Sequence, residues 1–239
     1  MCAYSDQPLA NDICALAGDY STRVGSQPRS PSGSVCFDEN PPELADSYIS
    51  TPLAALNASC KARQIQLMYE RGCSVGCDGY YVAPPFDKFG HRIQGKSGLL
   101  TACNVSTSGI PAAVAAAAAA DVAVVFLGHD WRTAMESLDR TTLALNAPQL
   151  PLLQAVHKTG TPTILVVIAG SAVELEIAKA HSDAIIIAGV PGETGGQAIS
   201  RLLFGEFSPT GRLPLTYVKS VDQLPPIADM SMDTPPGRT

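Results

Sequence analysis

The strongest constraint on the fold is a regular alternation of apolar runs and helix-forming segments over residues 109–205. The runs "DVAVVFLG", "PTILVVIAG" and "AIIIAG" are continuous and rich in β-branched residues, which is typical of strands buried on both faces of a parallel sheet. The segments around them have the composition of helices: "IPAAVAAAAAA", "APQLPLLQAVHKTG", "SAVELEIAKAHSD" and "ETGGQAISRLLFG". Gly160 and Gly205 are placed to end two of these helices. The pattern predicts an α/β protein with a mainly parallel sheet sandwiched by helices.

The N-terminal part of the chain is less regular. Residues 1–47 are rich in Pro, Ser, Gly and Asp and have little periodicity, so we expect irregular loops that belong to the sandwich. A helix is predicted to begin at Pro52, because proline favours the first helical turn and Ser50 or Thr51 can cap it. Residues 64–70 alternate in hydropathy like a strand.

These patterns set the expected domain limits. We expect the α/β sandwich domain to span residues 48–218, with "GRLPLTYV" as its last extended segment. Residues 219–239 are expected to form a C-terminal linker. Apolar residues make up 46% of the chain and charged residues 16%, which indicates a compact globular protein.

Cysteines and glycosylation acceptors are confined to the first half of the chain. The acceptor tripeptides are Asn57-Ala58-Ser59 and Asn104-Val105-Ser106. Together with the cysteines they indicate an oxidising compartment, so we expect the parent protein to be extracellular or to pass through the secretory pathway, although this chain has no signal peptide. The seven cysteines are Cys2, Cys14, Cys36, Cys60, Cys73, Cys77 and Cys103.

The pair Cys73 and Cys77 in "GCSVGC" raises the question of a metal site. Such a site needs a second closely spaced Cys or His pair, and the sequence contains none. A structural disulfide or free thiols are therefore favoured, and we expect no metal.

Charge and hydropathy exclude two classes of partner. The net charge of −6 provides no basic field for phosphates, so we expect no nucleic-acid partner. Asp121 interrupts the alanine-rich apolar stretch, and no segment reaches the roughly 18 unbroken apolar residues of a membrane span, so we expect no membrane partner.

The functional loops of a parallel sheet lie at the carboxyl ends of its strands, which directs attention to residues 128–140, 169–172 and 189–196. The last of these, "GVPGETGG", has neither the G-x-G-x-x-G order nor the lysine of a P-loop, so a tight turn is favoured over a phosphate cradle. Its glycines would then permit close packing or the approach of a ligand: Gly192, Gly195 and Gly196.

A histidine and a serine near these strand ends are candidate catalytic groups. His129 directly follows a strand and is the histidine best placed for chemistry, although a histidine in such a position is more often structural. Ser171 in "AGSAV" departs from the G-x-S-x-G turn, which disfavours a serine triad.

The segment "GHDWRTAMESLDRTTLAL", residues 128–145, combines the only tryptophan of the chain with a cluster of charges. Carboxylates beside an aromatic ring suit a sugar site, because the ring stacks on the pyranose and polar groups hold its hydroxyls. Spacing alone favours a simpler interpretation, in which Asp139 and Arg140 pair to order the loop and Glu136 is solvated. The charged and aromatic members are Asp130, Trp131, Arg132, Glu136, Asp139 and Arg140.

Several of these segments together resemble a known family. "ADVAVVFLGHD", "ESLDRTTLAL" and "GVPGETGGQAISRLLFGEFSPTGRLPLT" are similar to the C-terminal (α/β) sandwich domain of glycoside hydrolase family 3, and most of all to its β-xylosidase branch. The most specific part is the Phe-Gly-x-x-x-Pro-x-Gly-Arg-Leu-Pro signature over Phe204 to Pro214. "LANDICALAGDYS", "YISTPLAAL" and "GCSVGC" agree less strictly, and the likeness extends over nearly all of residues 8–239.

The resemblance implies hydrolysis, with retention, of terminal β-linked xylose or arabinose from xylan-derived oligosaccharides, without a metal or cofactor. Retention requires two carboxyl groups about 5 Å apart. In the family, an aspartate nucleophile lies on a preceding barrel domain and a glutamate acid/base on the sandwich loop. The resemblance therefore implies Glu136 as the general acid/base, with the oligosaccharide held, or the loop shaped, by Asp130, Trp131, Asp139 and Arg140.

The chain departs from the family pattern in ways that bear on activity. It begins beyond the expected first strand, so we expect the sheet to lack that strand. It contains no barrel domain and stops where the family continues toward a fibronectin type III-like domain, so we expect the isolated chain to be inactive. Related xylosidases commonly have Glu-x-Glu where this sequence has Ala134 and Glu136. The alternative is a non-catalytic carbohydrate-binding or structural remnant.

Overall fold

The computed structural model describes residues 2–4, 50–73, 80–82, 98–100, 106–129, 140, 142–145, 148–192, 194–226 and 229. Its main feature is a five-stranded sheet in which every neighbouring pair is parallel. The strands are β1 (Cys2–Tyr4), β2 (Tyr69–Arg71), β5 (Ala123–Gly128), β6 (Thr163–Ile168) and β7 (Ala184–Gly189), in the spatial order β2-β1-β5-β6-β7. A separate antiparallel pair joins β3 (Tyr80–Val82) and β4 (Gly98–Leu100).

Five helices pack on the two faces of the sheet in the described part of the chain. They are α1 (Pro52–Ala62), α2 (Ile110–Ala118), α3 (Gln149–His157), α4 (Glu176–Ala180) and α5 (Gly195–Leu203), and a short 3-10 turn follows at Val221–Gln223. None of the described helices is long and apolar enough to cross a membrane.

The two sheet faces follow from the period-2 alternation of side chains along β5 and β6. Val125 and Leu127 point to the face covered by α2, α3 and α4, where they pack with Leu152 and Leu153. Val124 and Phe126 point to the opposite face, which is covered by α1 and α5. All six residues of β5 are buried, as expected for a strand covered on both sides. The predicted α/β sandwich is therefore confirmed.

Helix α1 begins as the sequence predicts. The Thr51 hydroxyl accepts a hydrogen bond from the Ala54 amide at 3.2 Å, and Pro52 occupies the first turn. Thr51, rather than Ser50, is thus the capping side chain. Leu56 and Cys60 lie on the buried face of α1.

Three elements differ from the sequence-based expectation. The expected absence of the first strand is corrected, because β1 pairs in parallel with both β2 and β5; three residues are too few to give a recognisable period. The helix expected over residues 171–183 is limited to α4, since the Glu174 amide instead donates to the Leu143 carbonyl at 2.7 Å. The strand expected over residues 64–70 is limited at its start, since β2 begins only at Tyr69 and extends to Arg71.

The remaining expectations about the N-terminal region and the domain limits stay predictions. Apart from β1, residues 1–47 lie outside the described residues, as do Cys14, Cys36, Cys77 and Cys103. Cys60 is buried with no disulfide among the described residues.

Candidate functional site

The carboxyl ends of β5, β6 and β7 meet at one edge of the parallel sheet, and the strand order marks one position along that edge. Numbered along the chain, the five parallel strands lie in the order 2-1-3-4-5. The connections therefore reverse direction between β1 and β5. Open α/β sheets bind ligands in the crevice outside the strand ends at such a switch point. Gly128 and His129, at the carboxyl end of β5, border this position.

The carboxyl end of β5 is held by hydrogen bonds on both sides. The His129 amide donates to the Ile168 carbonyl of β6 at 3.0 Å. On the other side, the Gly128 amide donates to Oε1 of Gln149 at 2.7 Å, and Nε2 of Gln149 donates to the Gly128 carbonyl at 2.8 Å. A side chain at position 128 would overlap the Ile168 carbonyl, so this close approach requires glycine.

Gln149 was not identified by the sequence analysis. It lies in the first turn of α3 and is fully buried, at 0% exposure. A buried amide must find hydrogen-bond partners, and here both of its polar groups are satisfied by one backbone residue. The only signal in the sequence is a glutamine at the start of a helix, spaced to lie on the same face as Leu152, Leu153 and Val156.

Arg140 is also held by a hydrogen bond to the backbone. Its Nη2 donates to the Ala172 carbonyl, just beyond β6, at 2.9 Å. Its Nη1 is buried and has no hydrogen-bond partner among the described residues. Burial lowers the pKa of Arg140 from its ordinary value, although an arginine retains its charge in proteins. A buried guanidinium nitrogen with unused hydrogens can receive an oxygen acceptor, such as a sugar hydroxyl or a carboxylate.

His129 lies close to Arg140 and is only 4% exposed. Burial, and secondly the positive charge of Arg140, lower the pKa of His129 to about 3. The imidazole is therefore neutral near pH 7. It cannot donate a proton as an imidazolium there, and a base with so low a pKa accepts protons weakly. The structural role of His129 is thus favoured over the catalytic one.

The remaining predicted site residues lie outside the described residues: Asp130, Trp131, Glu136 and Asp139. Their assignments stay predictions. The structure does bring the two flanking residues together, because His129 and Arg140 lie close enough for the arginine charge to act on the imidazole. These two residues thus lie at one place, beside the ends of β5 and β6.

The glycine-rich turn after β7 is a packing junction. The Gly196 amide donates to the Ser50 carbonyl at 2.9 Å, and the Gly195 amide donates to the Gly192 carbonyl at 3.1 Å. Gly192 has a φ of 74°, which favours glycine. Because these amides at the start of α5 already have acceptors, they are not available to an anion. This arrangement favours the tight turn over the phosphate cradle.

No three His, Cys, Asp or Glu side chains are grouped to hold a metal within the ranges that the structure describes. An open groove of about 350 Å³ lies elsewhere, between α1 and the residues at the start of β2. It is lined by Thr51, Leu53, Ala54, Asn57, Leu67 and Tyr69.

Comparisons with known proteins agree with this architecture. Relatives include a periplasmic β-glucosidase of Salmonella typhimurium, 37% identical over 116 residues, which cover 48% of this chain and 15% of the relative. A probable exo-1,4-β-xylosidase of Neosartorya fischeri is 37% identical over 147 residues, which cover 58% of this chain and 19% of the relative. The chain thus matches less than a fifth of the length of these two relatives.

Solved structures of related enzymes give the same fold. A β-glucosidase involved in saponin metabolism from intestinal bacteria superimposes with a TM-score of 0.67 at 28% identity, covering 93% of this chain and 30% of that one. An exo-β-xylosidase of glycoside hydrolase family 3, in complex with a xylobiose aziridine probe, superimposes with a TM-score of 0.59 at 21% identity, covering 89% and 21%. The family model of the glycosyl hydrolase family 3 C-terminal domain matches residues 8–237. The chain therefore belongs to the glycosyl hydrolase family 3 C-terminal domain family.

Proposed function

We propose that this chain is the sandwich domain of a β-xylosidase-like glycosidase, which removes terminal β-linked xylose or arabinose from xylan-derived oligosaccharides. The observation that supports the proposal is the position of His129 and Arg140, which lie close to each other beside the switch point of the sheet. In the sequence, these two residues bound the stretch that carries the Glu-x-x-Asp-Arg element.

In this proposal, residues of the segment have distinct roles. Glu136 is the general acid/base, and Trp131 stacks on the sugar ring. Asp130 and Arg140 hold hydroxyl groups, the latter through its buried Nη1, and Asp139 shapes the loop. The nucleophilic carboxylate comes from a barrel domain of the parent protein, about 5 Å from the acid/base. The reaction needs no metal or cofactor.

The choice of sugar needs its own test, because both β-glucosidases and β-xylosidases are similar to this chain at about the same identity. The parent protein should be assayed on aryl β-xyloside and aryl β-glucoside. A higher kcat/KM for the xyloside supports the proposal, and a higher value for the glucoside overturns the choice of xylose.

The role of Glu136 is tested by substitution. We expect the isolated 239-residue chain to have no turnover on the aryl xyloside. In the parent protein, Glu136→Gln should lower kcat at least about 100-fold for substrates with poor leaving groups, because an amide cannot donate the proton. Retained kcat in that variant would reject Glu136 as the acid/base.

The second candidate is a non-catalytic carbohydrate-binding or structural remnant. It is favoured by Ala134, which stands where the resemblance places the first of two glutamates. Titration of the chain with xylose, followed by the fluorescence of Trp131, separates the two forms of this candidate. A saturable response supports carbohydrate binding, and no response at millimolar sugar supports a structural role.

The proposed localisation of the parent protein is the secretory pathway or the extracellular space. Asn57 supports it, because it is an acceptor residue exposed on α1. Expression of the chain behind a signal peptide in a eukaryotic host should give a mass that falls on treatment with an N-glycosidase. In the Asn57→Gln variant, the mass lost on N-glycosidase treatment should be smaller by one glycan. An equal loss of mass from the variant and the original chain would reject Asn57 as an acceptor.

A further inference from the structure

We propose that Gln149 is a positioning residue, which fixes through Gly128 the direction in which the chain leaves β5. Arg140 is attached in a similar way to the Ala172 carbonyl. The hydrogen bonds join Gln149 on α3 to Gly128 on β5, and Arg140 to the chain that follows β6. Only the statement that this end of β5 leads to a sugar site rests on the proposed function.

The Gln149 amide takes the place of a neighbouring strand at the end of β5. In a parallel sheet, the N–H and C=O groups of one residue point to the same neighbouring strand. On the β1 side, pairing with β5 extends from Cys2 opposite Val124 to Tyr4 opposite Phe126. Gly128 lies beyond that ladder, and its two backbone groups bond to Gln149 instead.

This arrangement determines where the chain leaves the sheet. Gly128 is held on one side by Gln149, and the next residue, His129, is held on the other by the Ile168 carbonyl. The direction of the backbone is thereby fixed at two consecutive residues. The rest of the inward face of α3 is apolar, namely Leu152, Leu153 and Val156, so Gln149 is the one polar side chain that this buried face directs at β5 among the described residues.

Arg140 provides a similar attachment. Its planar guanidinium donates to the Ala172 carbonyl, and nearby the Glu174 amide donates to the Leu143 carbonyl at 2.7 Å. The chain that follows Arg140 is therefore tied to the chain that follows β6. His129 and Arg140 are thus both hydrogen-bonded to the β6 part of the chain. His129 bonds to Ile168 within the strand, and Arg140 bonds to Ala172 just after it.

The test uses the whole 239-residue chain without any sugar. Gln149→Met keeps a similar length and removes both hydrogen bonds. We expect hydrogen exchange at the Gly128 amide to become about tenfold faster, the change expected from the loss of hydrogen bonds to a buried group. We also expect acrylamide quenching of Trp131 fluorescence to change, because this tryptophan is two residues from His129 in the chain.

The matched control is Gln154→Met, a half-buried residue of the same helix. It should leave both readouts unchanged. Thermal unfolding of all variants gives the global stability, so that a local change is separated from general loosening. A folded Gln149→Met variant with wild-type exchange at Gly128 and wild-type quenching of Trp131 would overturn the proposal.

Arg140→Lys provides a second variant if Gln149→Met does not fold. Lysine keeps the charge but lacks the planar fork of the guanidinium. The proposal requires a change in the quenching of Trp131 fluorescence in this variant, with unchanged exchange at the Gly128 amide. Unchanged quenching would reject the attachment at Arg140. The exchange and quenching measurements are made without sugar. A failed xylose titration would therefore count against the proposed function and leave the proposal about Gln149 intact.

Discussion

The backbone amide of Gly196, in the first turn of α5, donates a hydrogen bond to the carbonyl of Ser50, immediately before the capping residue of α1. The two helices cover the same face of the sheet. A side chain at position 196 would overlap the backbone of Ser50 and Thr51. The glycine-rich turn thus joins the starts of two helices that are far apart in sequence.

Gly196→Ala should destabilise the fold. The added methyl group meets backbone atoms, which cannot rotate away as a flexible side chain can. We expect the free energy of unfolding to fall by ~1–3 kcal/mol, as in other overpacked sites. Urea unfolding monitored by circular dichroism measures this change.

Gly211→Ala is the control for that substitution, because a side chain at position 211 meets open space. It should change the free energy of unfolding by no more than about 0.5 kcal/mol. Equal effects of the two substitutions would contradict the packing explanation, since general loss of glycine freedom would then account for both.

Stability should decrease in mild acid because of His129. The pKa of His129 is about 3 in the folded protein, below the value of 6.5 expected in the unfolded chain. Between these values, the unfolded chain binds a proton that the folded protein does not, so lower pH favours unfolding. The contribution is about 1.4 kcal/mol per pH unit over most of this range, and it vanishes above about pH 7.

Unfolding free energies measured from about pH 7 to about pH 4 test this expectation. His129→Asn should have a shallower acid slope, whatever its stability at neutral pH. Gln154→Asn, at a half-buried position on α3 without a titratable group, should keep the slope of the original chain. A His129→Asn variant with an unchanged slope would show that another group causes the acid sensitivity.

Glu206 connects the ends of two helices through a pair of arginines. Its carboxylate accepts hydrogen bonds from Arg201 at 2.8 Å and from Arg63 at 2.7 Å, and the Arg63 guanidinium lies 4.4 Å from the centre of the Phe204 ring. The hydrogen bonds from Arg201 and Arg63 lower the pKa of Glu206. Its stabilising effect is therefore present above the pKa of an unfolded glutamate and is lost as the pH falls through the lowered value.

Glu206→Gln should lower the melting temperature at neutral pH, and the difference should shrink at high salt, because these groups are exposed to solvent. Lys179→Met removes the ion pair between Lys179 and Glu176. Because that pair lies within one helix and joins no second element, this substitution should lower the melting temperature less. If Glu206→Gln melts at the same temperature at low salt as the original chain, the connection between α1 and α5 does not depend on this carboxylate.

The elements that could be predicted from the sequence are those whose signal is local. The continuous runs of β5, β6 and β7 identify buried strands, and Gly160 and Gly205, with φ of 77° and 70°, follow α3 and α5 as expected. The cap at Thr51 is likewise a local feature. The family signature begins with Phe204 and Gly205, whose packing and backbone conformation explain their types.

The elements that could not be predicted depend on contacts between distant residues. Strand β1 is defined by its pairing with β2 and β5, not by any pattern within three residues. The role of Gln149 depends on Gly128, 21 residues away, and the need for glycine at 196 depends on Ser50. Within the candidate site, the sequence directed attention to the end of β5, but it could not give the hydrogen bonds that hold this strand end.

Leu213 and Leu215 should promote self-association of this chain. Their side chains are 54% and 48% exposed, and they lie two residues apart in a segment that forms no strand in the described structure. Exposed apolar side chains near one another favour association. The double variant Leu213→Glu/Leu215→Glu should give less light scattering and a later onset of aggregation on heating. Thr210→Glu/Thr216→Glu adds the same charge at exposed polar positions and should help less. Equal improvement in both double variants would attribute the effect to charge and reject the contribution of the two leucines.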